Sequence, residues 1–280
     1  MRARLDPNFS TFLMRIGDGI QQTIDEDEVQ IPESINIPFQ DDETSINALI
    51  DTVFPNMEYI TSTTSSIINR AILMTRNDFV HQINHKLIMK FPRAERTYFS
   101  NDEPLDSSVQ LQDQDILHSL TPKGLPLHEL ILKKNCPVML LRNINPSEGL
   151  SNGTRLICKE FSNNIIQAQI AFGSFAGKIV FIPRIPLQAS DEELSSVQFK
   201  RTQFPLRLCF AMTINKAQGQ TLDYVGLYLR EPVFSHGQLY VALSRARTAT
   251  NIKVLIQPPH GQRESTNFTR NVVYKESFQQ

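Results

Sequence analysis

The stretch that decides the fold of this 280-residue chain runs from Leu206 to Arg247 and reads LRLCFAMTINKAQGQTLDYVGLYLREPVFSHGQLYVALSRAR. Its apolar runs predict two buried strands, Leu206–Met212 and Tyr224–Leu229. A polar turn opening a short helix over Thr213–Thr221 is predicted after the first strand, and a further helix closes the stretch. This order is typical of an open α/β sheet, which presents ligand-binding groups at the carboxyl ends of its strands.

The polar turn after the first strand has the composition of a phosphate site. Its candidate residues are Thr213, Asn215, Lys216, Gln218 and Gly219. Backbone N–H groups at the start of the following helix would face an anion. We therefore expect an anionic ligand at this turn.

The last helix of the stretch begins with a candidate capping box. Ser235 and Gln238 have the S-x-x-Q spacing that fixes a helix start, here near His236. Gln238 and Arg245 then share a face beside the apolar stripe, so the arginine could point into a cleft. The stripe consists of Leu239, Leu243 and Ala246.

The composition is that of an ordinary soluble chain that can bury a substantial core, with 40% hydrophobic residues. No apolar run approaches the roughly 18 residues of a membrane span, and no secretory segment opens the chain. Cys136, Cys158 and Cys209 are far apart and embedded in apolar runs. This pattern favours buried free thiols over disulfides or a metal site.

Charge is distributed unevenly along the chain. Residues 1–66 hold 3 Lys+Arg against 12 Asp+Glu, a net charge of −9, whereas the remaining residues hold 25 against 17, a net charge of +8. A positive surplus suits a polyanion partner, but one spread over so many residues is also compatible with a plain solvated surface.

The N-terminal part reads as an appendage rather than a complete domain. It contains two short helical patterns, Asn8–Ile16 and Thr44–Val53, around an acidic segment, Asp25–Glu28. These pieces have too little apolar area to fold alone. We expect residues 1–66 to be cut from a longer protein.

The α/β pattern begins at Ala71–Thr75, a short apolar run suited to a buried strand, followed by a helix. His81 and His85 lie at i,i+4 on that helix, the spacing of the H-E-x-x-H zinc motif. Position 82 is glutamine and no third ligand is apparent, so a solvated helix face is the better interpretation.

An all-β insertion interrupts the α/β pattern. Five short strands with Gly, Pro and Asn between them predict a small antiparallel barrel or sandwich. The strands are Leu130–Leu132, Pro137–Arg142, Thr154–Cys158, Ile165–Ala171 and Lys178–Ile182. The fold class is therefore α/β with an inserted small β-barrel, and residues 258–280 are expected to form a loosely ordered polar tail.

Four motifs, in order, resemble the C-terminal half of petite-integration-frequency-type DNA helicases, in the form carried by plant Helitron transposons. RAILMTRNDFV (70–80) resembles helicase motif IV, and LSNGTRL (150–156) resembles a turn of the family's inserted barrel. AMTINKAQGQTL (211–222) resembles motif V, and QLYVALSRAR (238–247) resembles motif VI. The resemblance implies a RecA-like motor domain over residues 67–128 and 198–257, with the barrel over residues 129–187. It also implies that residues 1–66 are a remnant of the segment that follows a first motor domain.

The same resemblance implies roles for individual residues. Arg245 would be the arginine finger at the γ-phosphate of ATP, and Arg76 would make a second phosphate contact or a contact with the DNA backbone. Gln218, Gly219 and Gln238 would bind the nucleotide, and Thr213, Asn215 and Lys216 would bind single-stranded DNA. The family's usual histidine is replaced by Asn215, which can still hydrogen-bond a phosphate. The family further implies ATP and Mg²⁺ as cofactors, translocation typically 5′ to 3′, and a nuclear location.

One motif of an ATP-hydrolysing helicase is missing from the sequence. No G-x-x-x-x-G-K-[ST] occurs, and the nearest stretch, GSFAGK (173–178), has the wrong spacing and the context of a hairpin turn. Without that loop and an acidic metal ligand, nothing would cradle the phosphates or hold Mg²⁺. We therefore expect no ATP hydrolysis by this chain alone, and a further RecA-like domain as its partner.

Two hypotheses follow. The chain is the second motor half of an ATP-dependent DNA helicase, or it is a non-catalytic single-stranded-DNA-binding remnant of a transposon helicase. A gene remnant without any retained role is not separated from the second hypothesis by the sequence.

Overall fold

The computed structural model describes residues 3, 5–24, 27–60, 64–105, 114–122, 124–188, 198–258 and 267–274. The chain forms two compact units. Unit 1 comprises Met1–Leu87 and Phe210–Gln280, and unit 2 comprises Ile88–Cys209. Residues 88–128 and 198–209, which the sequence analysis grouped with the motor domain, lie in unit 2.

The helices and strands alternate irregularly along the chain. In order they are α1 (Pro7–Gly17), β1 (Glu28–Gln30), β2 (Asn36–Ile37), α2 (Asp42–Val53), α3 (Met57–Ile60), α4 (Thr64–Ile68), β3 (Arg70–Met74), α5 (Asn77–Lys90), β4 (Glu95–Phe99), β5 (Asn101–Pro104), α6 (Gln114–Ser119), β6 (Glu129–Lys133), β7 (Pro137–Leu140), β8 (Arg155–Phe161), β9 (Ile165–Ile170), β10 (Ile179–Pro183), β11 (Ile185–Gln188), β12 (Phe199–Gln203), β13 (Leu206–Leu208), β14 (Ala211–Thr213), β15 (Tyr224–Leu229), α7 (Gln238–Leu243), β16 (Ile252–Ile256) and β17 (Phe268–Arg270).

Unit 1 is built on a five-stranded sheet with the strand order β14-β3-β15-β16-β2. Every pairing in this sheet is parallel. Its central strand β15 is buried along Val225–Leu229, which matches the near-continuous apolar run expected of a parallel strand covered on both faces. The predicted α/β class is confirmed, and β15 has the predicted bounds.

The N-terminal segment, expected as an appendage, supplies parts of unit 1. Strand β2 forms one edge of the parallel sheet, and β1 pairs with β17 in a separate two-stranded sheet. Helix α2 packs on β15 so closely that a Cβ at Gly226 would lie 2.8 Å from Val53 Cγ2. The expectation of a loosely ordered tail is wrong for β17, because three residue pairs join it to β1.

Unit 2 contains a five-stranded antiparallel sheet with the order β10-β9-β8-β7-β13, which confirms the predicted small antiparallel β region. GSFAGK lies in the hairpin between β9 and β10, where Gly173 and Gly177 have φ of 84° and 88°. One predicted member, Leu130–Leu132, belongs instead to β6, which pairs with β4. Strands β11, β12 and β5 form a third sheet.

The prediction of a single strand over Leu206–Met212 is wrong, because the structure divides this run between the two units. Strand β13 pairs antiparallel with β7, whereas β14 pairs parallel with β3. The chain passes from one unit to the other between Cys209 and Phe210. A mostly apolar run is compatible with a strand in either buried sheet. Its composition therefore does not reveal the break between β13 and β14.

The three cysteines are free and buried, as predicted. A hydrogen bond with Cys136, followed by burial, raises the pKa of the Cys158 thiol well above its usual range. Burial also raises the pKa of Cys209. Reactive thiolates are therefore disfavoured at neutral pH.

Across the described part of the chain, the model contains no helix that is both long enough and apolar enough to cross a bilayer.

Candidate nucleotide and nucleic-acid site

Three neighbouring parallel strands of unit 1 end at the same edge of its sheet. Strand β3 is followed by Thr75 and Arg76, and β15 is followed by Arg230 and Glu231. Arg76 Nε lies 2.8 Å from Glu231 Oε2, with the two side chains 55% and 44% exposed. The hydroxyl of Thr75 donates to the Glu231 carbonyl over 3.5 Å. Arg76 is thus accessible at a strand end, as ligand-binding groups are in open α/β sheets.

The polar turn follows β14 at that edge. A single 3₁₀ turn over Ile214–Ala217 replaces the predicted helix Thr213–Thr221. Gln218 leaves the turn with extended backbone, and Gly219 has φ of 82°, a left-handed conformation that ends the helical path. The predicted helix is therefore wrong, whereas the anion site expected at this turn stays a prediction.

The side chains of this turn divide into buried and accessible groups. Ile214 and Ala217 are buried in unit 1. The candidate residues Asn215, Gln218 and Gly219 are exposed, and Thr213 and Lys216 are half-buried. A Cβ at Gly219 would meet no atom within 4 Å, so the glycine is required there by its φ angle rather than by a close neighbour.

Helix α7 begins differently from the prediction. Gly237, with φ of 68°, is the N-cap, and no side chain caps the helix. The predicted capping box of Ser235 and Gln238 is therefore wrong, because the left-handed glycine takes the cap position. Gln238 Oε1 instead accepts from the backbone N–H of Phe234 at 3.1 Å. Its Nε2 is buried without a hydrogen-bond partner among the described residues.

Arg245 follows the Ser244 C-cap of α7 and is buried, with 6% of its surface exposed. Its Nη1 donates to the carbonyl oxygens of Ala217, at 3.3 Å, and Gln220, at 2.9 Å. Nε donates to the Val241 carbonyl at 2.7 Å, and Nη2 to Ser244 Oγ at 2.8 Å. The guanidinium is directed onto the polar turn, and its position in a nucleotide cleft stays a prediction.

The structure thus brings some predicted residues together. Arg245 contacts the turn that carries the candidates from Thr213 to Gly219, whereas Arg76 lies after another strand and pairs with Glu231. Sequence reasoning did not find Glu231 or the acceptors of Arg245. Arg76 was named through the resemblance to motif IV, whereas the signal for Glu231 is its position just past β15. The carbonyl acceptors of Arg245 carry no residue-type signal.

Comparison with known families matches two parts of the chain. The model for the DNA helicase Pif1 2B domain matches residues 115–161, and the model for the viral superfamily 1 RNA helicase core domain matches residues 150–254. The human ATP-dependent DNA helicase PIF1 is 34% identical over 185 residues, which is 65% of this chain and 26% of that protein. The chain spans about a quarter of the length of the curated PIF1 relatives it matches.

Solved structures give the same fold. The Pif1 helicase from Candida albicans has a TM-score of 0.56 at 20% identity, covering 94% of this chain and 56% of that one. A Bacteroides Pif1 helicase in complex with ADP-AlF3 and single-stranded DNA has a TM-score of 0.55 at 20% identity, covering 97% and 57%. The resemblance to the C-terminal half of Pif1-type DNA helicases is confirmed in sequence and fold, whereas the Helitron form of that family stays a prediction.

Proposed function

We propose that the chain is the second motor portion of a superfamily 1 ATP-dependent DNA helicase, of the kind carried by Helitron transposons. In this proposal ATP and Mg²⁺ are held by a further RecA-like domain that supplies the P-loop, and this chain supplies sensing and finger groups. Unwinding would proceed 5′ to 3′ along single-stranded DNA in the nucleus. The assignment of residues 67–128 and 198–257 to the motor domain, and of 129–187 to its barrel, belongs to the same proposal.

The observation that supports this function best is the contact between Arg245 and the polar turn. The predicted finger donates to the carbonyls of Ala217 and Gln220, within a few residues of the predicted DNA contacts Thr213, Asn215 and Lys216. A shift of the turn on DNA would alter the acceptors of the guanidinium. Such a link would couple DNA binding to the group that stabilises the charge gained in phosphoryl transfer.

The proposal has two biochemical consequences. The purified 280-residue chain should hydrolyse no ATP above background with single-stranded DNA present, because it has no P-loop. Joined to a domain encoded upstream that carries G-x-x-x-x-G-K-[ST], it should show DNA-stimulated turnover. In that protein Arg245→Ala should lower turnover by about 10³–10⁵-fold.

The experiment is ATP turnover measured on both proteins after sequencing the transcript upstream of the Met1 codon. Circular dichroism of each variant separates a lost finger from a lost fold. DNA-stimulated turnover by the 280-residue chain alone, abolished by Arg245→Ala, would overturn the dependence on a second domain. Full turnover by the Arg245→Ala form of the joined protein would overturn the finger.

A second candidate function is a nucleotide-independent module that binds single-stranded DNA. The buried guanidinium of Arg245 favours it, because that side chain is already bonded within unit 1. This module would bind DNA equally with and without ADP and aluminium fluoride when the upstream domain is joined. The motor would change its DNA affinity with the nucleotide state.

A further inference from the structure

The parallel sheet of unit 1 has a topological switch point between β3 and β15. After β3 the chain next enters this sheet at β14, on one side of β3, whereas after β15 it next enters at β16, on the far side of β15. The loops that follow β3 and β15 therefore leave in opposite directions. Open α/β sheets bind ligands in the crevice that such a divergence opens at the carboxyl ends of the strands.

One arginine follows each of these two strands, at the same level. The last registered pair of β3 and β15 is Met74 with Tyr228, and Arg76 and Arg230 each lie two residues further on. The two loops stay side by side beyond the strands, because Arg76 Nε lies 2.8 Å from Glu231 Oε2. Strand pairing thus places two guanidinium-bearing residues at the crevice, and the proposed motor function assigns a role only to Arg76.

The guanidinium of Arg230 is held by an aromatic ring and not by an acceptor. Its Cζ lies 3.7 Å from the centroid of the ring of Phe79, in the first turn of α5. The N–H donors of a guanidinium lie in its plane, so stacking on a ring leaves them unused. Within the described ranges Arg230 forms no hydrogen bond or ion pair, not even with the exposed Asp78 beside that ring. Arg230 and Phe79 are both half-buried, so solvent reaches the stack.

Glu231 compensates only one of the two positive charges. Its side chain is 44% exposed and that of Arg76 is 55% exposed, and an ion pair this accessible is weak. An anion of higher charge can therefore displace Glu231 from Arg76. Arg230 has no carboxylate within ion-pair distance in the described part of the chain, which leaves a net charge of +1 on the three side chains.

We propose that Arg230 and Arg76 bind a phosphoryl dianion, the terminal phosphate of a nucleotide, in the crevice between β3 and β15. Guanidinium groups bind phosphate oxygens bidentately. Two of them match a terminal phosphate, with nearly two negative charges, better than a phosphodiester, with one. Glu231 is the counter-ion that releases Arg76 when the phosphate binds. The nucleotide as the source of this phosphate rests on the proposed motor function, whereas the anion site does not.

The test is sodium pyrophosphate titrated into the 280-residue chain by isothermal calorimetry at low ionic strength. Wild type should bind one pyrophosphate, and Arg230→Ala should weaken binding by about 10–100-fold, because charge-assisted hydrogen bonds are lost. Arg230→Lys keeps the charge without the planar fork and should give an intermediate affinity. Glu231→Gln removes the competing carboxylate and should tighten binding about fivefold.

The matched control is Arg247→Ala, at the other end of the same strand. The side chain of Arg247 is 55% exposed, as that of Arg76 is, and it lies 3.9 Å from Asp223, directly before β15. Its removal should leave the affinity for pyrophosphate at the wild-type value. The site would be overturned by a wild type that binds no pyrophosphate, by wild-type affinity in Arg230→Ala, or by an equal loss in Arg247→Ala.

Phe79 is a positioning residue in this proposal, and a double-mutant cycle tests it. Phe79→Leu should weaken pyrophosphate binding by about 2–5-fold, the effect of a lost cation–π contact. In the Arg230→Ala background the same substitution should have no further effect. Urea midpoints establish that each variant is folded before titration. An equal loss in both backgrounds would remove the ring from the proposal.

Binding of a labelled oligothymidylate distinguishes the source of the phosphate. Arg230→Ala should leave the salt dependence of this binding unchanged, because a phosphodiester is not the ligand. A slope of log K against log salt that becomes less negative by about 0.7 would overturn the nucleotide and assign Arg230 to DNA. None of these measurements needs ATP turnover. A joined protein without turnover would therefore contradict the motor function but not the anion site, and the reverse also holds.

Discussion

At the scale of the residue, Arg245 has both a predicted catalytic role and an observed structural one. Its guanidinium joins the end of α7 to a turn 25 to 28 residues earlier in the sequence. The backbone adds to this link, because Leu222 N–H donates to the Arg245 carbonyl at 3.1 Å. A planar fork of donors suits several carbonyl acceptors at once, and an ammonium would not match it.

We expect Arg245→Ala to lower the free energy of unfolding by about 2–4 kcal/mol, because buried carbonyls lose a charged donor. Arg245→Lys should recover less than half of that loss. Urea unfolding followed by circular dichroism measures both. Arg247→Ala is the control, since its side chain is 55% exposed and lies 3.9 Å from Asp223, and it should change stability by less than about 0.5 kcal/mol. A wild-type midpoint for Arg245→Ala would mean that the buried contacts do not form in solution.

At the scale of the element, packing of α2 on β15 makes the N-terminal segment part of unit 1. A Cβ at Gly226 would lie 2.8 Å from Val53 Cγ2, 3.1 Å from Leu49 Cδ1 and 3.2 Å from Ile72 Cγ1. The glycine therefore permits close approach of the helix to the central strand.

Gly226→Ala should destabilise the chain by about 1–3 kcal/mol through overpacking. Val53→Ala removes the nearest clashing atom, so the double variant Gly226→Ala/Val53→Ala should lose less stability than the sum of the two single variants. A double-mutant cycle of urea midpoints measures the difference. Strict additivity would show that α2 does not pack on β15 as described.

The sequence predicted elements where the signal is local. The predicted strand at β15 agrees with the structure because its apolar run is bounded by polar residues on both sides. The helices α1 and α2 were predicted from their apolar periodicity. The prediction failed for Leu206–Met212, where one apolar run serves two sheets, and at Ser235, where a glycine with positive φ took the cap. The acceptors of Arg245 and the ion pair of Arg76 with Glu231 are backbone and long-range contacts, which leave no pattern along the chain.

At the scale of the whole molecule, the net charges of the two units differ less than those of the N-terminal segment and the rest of the chain. The N-terminal segment, residues 1–66, carries a net charge of −9, but it belongs to unit 1 together with more basic residues. Unit 1 as a whole holds 14 Lys+Arg against 17 Asp+Glu, a net charge of −3. Unit 2 holds 14 Lys+Arg against 12 Asp+Glu, a net charge of +2. Neither unit has the large positive surplus that drives strong non-specific binding to a polyanion. The proposed affinity for DNA would therefore depend on a few local contacts.

This balance predicts a shallow salt dependence for binding of single-stranded DNA. Of the proposed contacts Thr213, Asn215 and Lys216, only the lysine is charged, and Arg76 could add a second cation if it leaves Glu231. Each neutralised phosphate contributes about −0.7 to the slope of log K against log salt, so we expect a slope between about −0.7 and −1.4. Fluorescence anisotropy with a labelled oligothymidylate, measured across a salt series, gives this slope.

Substitutions then show which charged side chains contact the DNA phosphates. Lys216→Ala should make the slope less negative by about 0.7, whereas Thr213→Val should weaken binding at every salt concentration with the slope unchanged. Glu231→Gln frees Arg76 and should steepen the slope by about 0.7 if that arginine reaches a phosphate. Lys253→Ala is the control, because Lys253 lies on β16 and donates to the Ser34 carbonyl, away from the turn. A flat response in wild type, or a steep one that Lys216→Ala leaves untouched, would remove the turn after β14 from the DNA-binding surface.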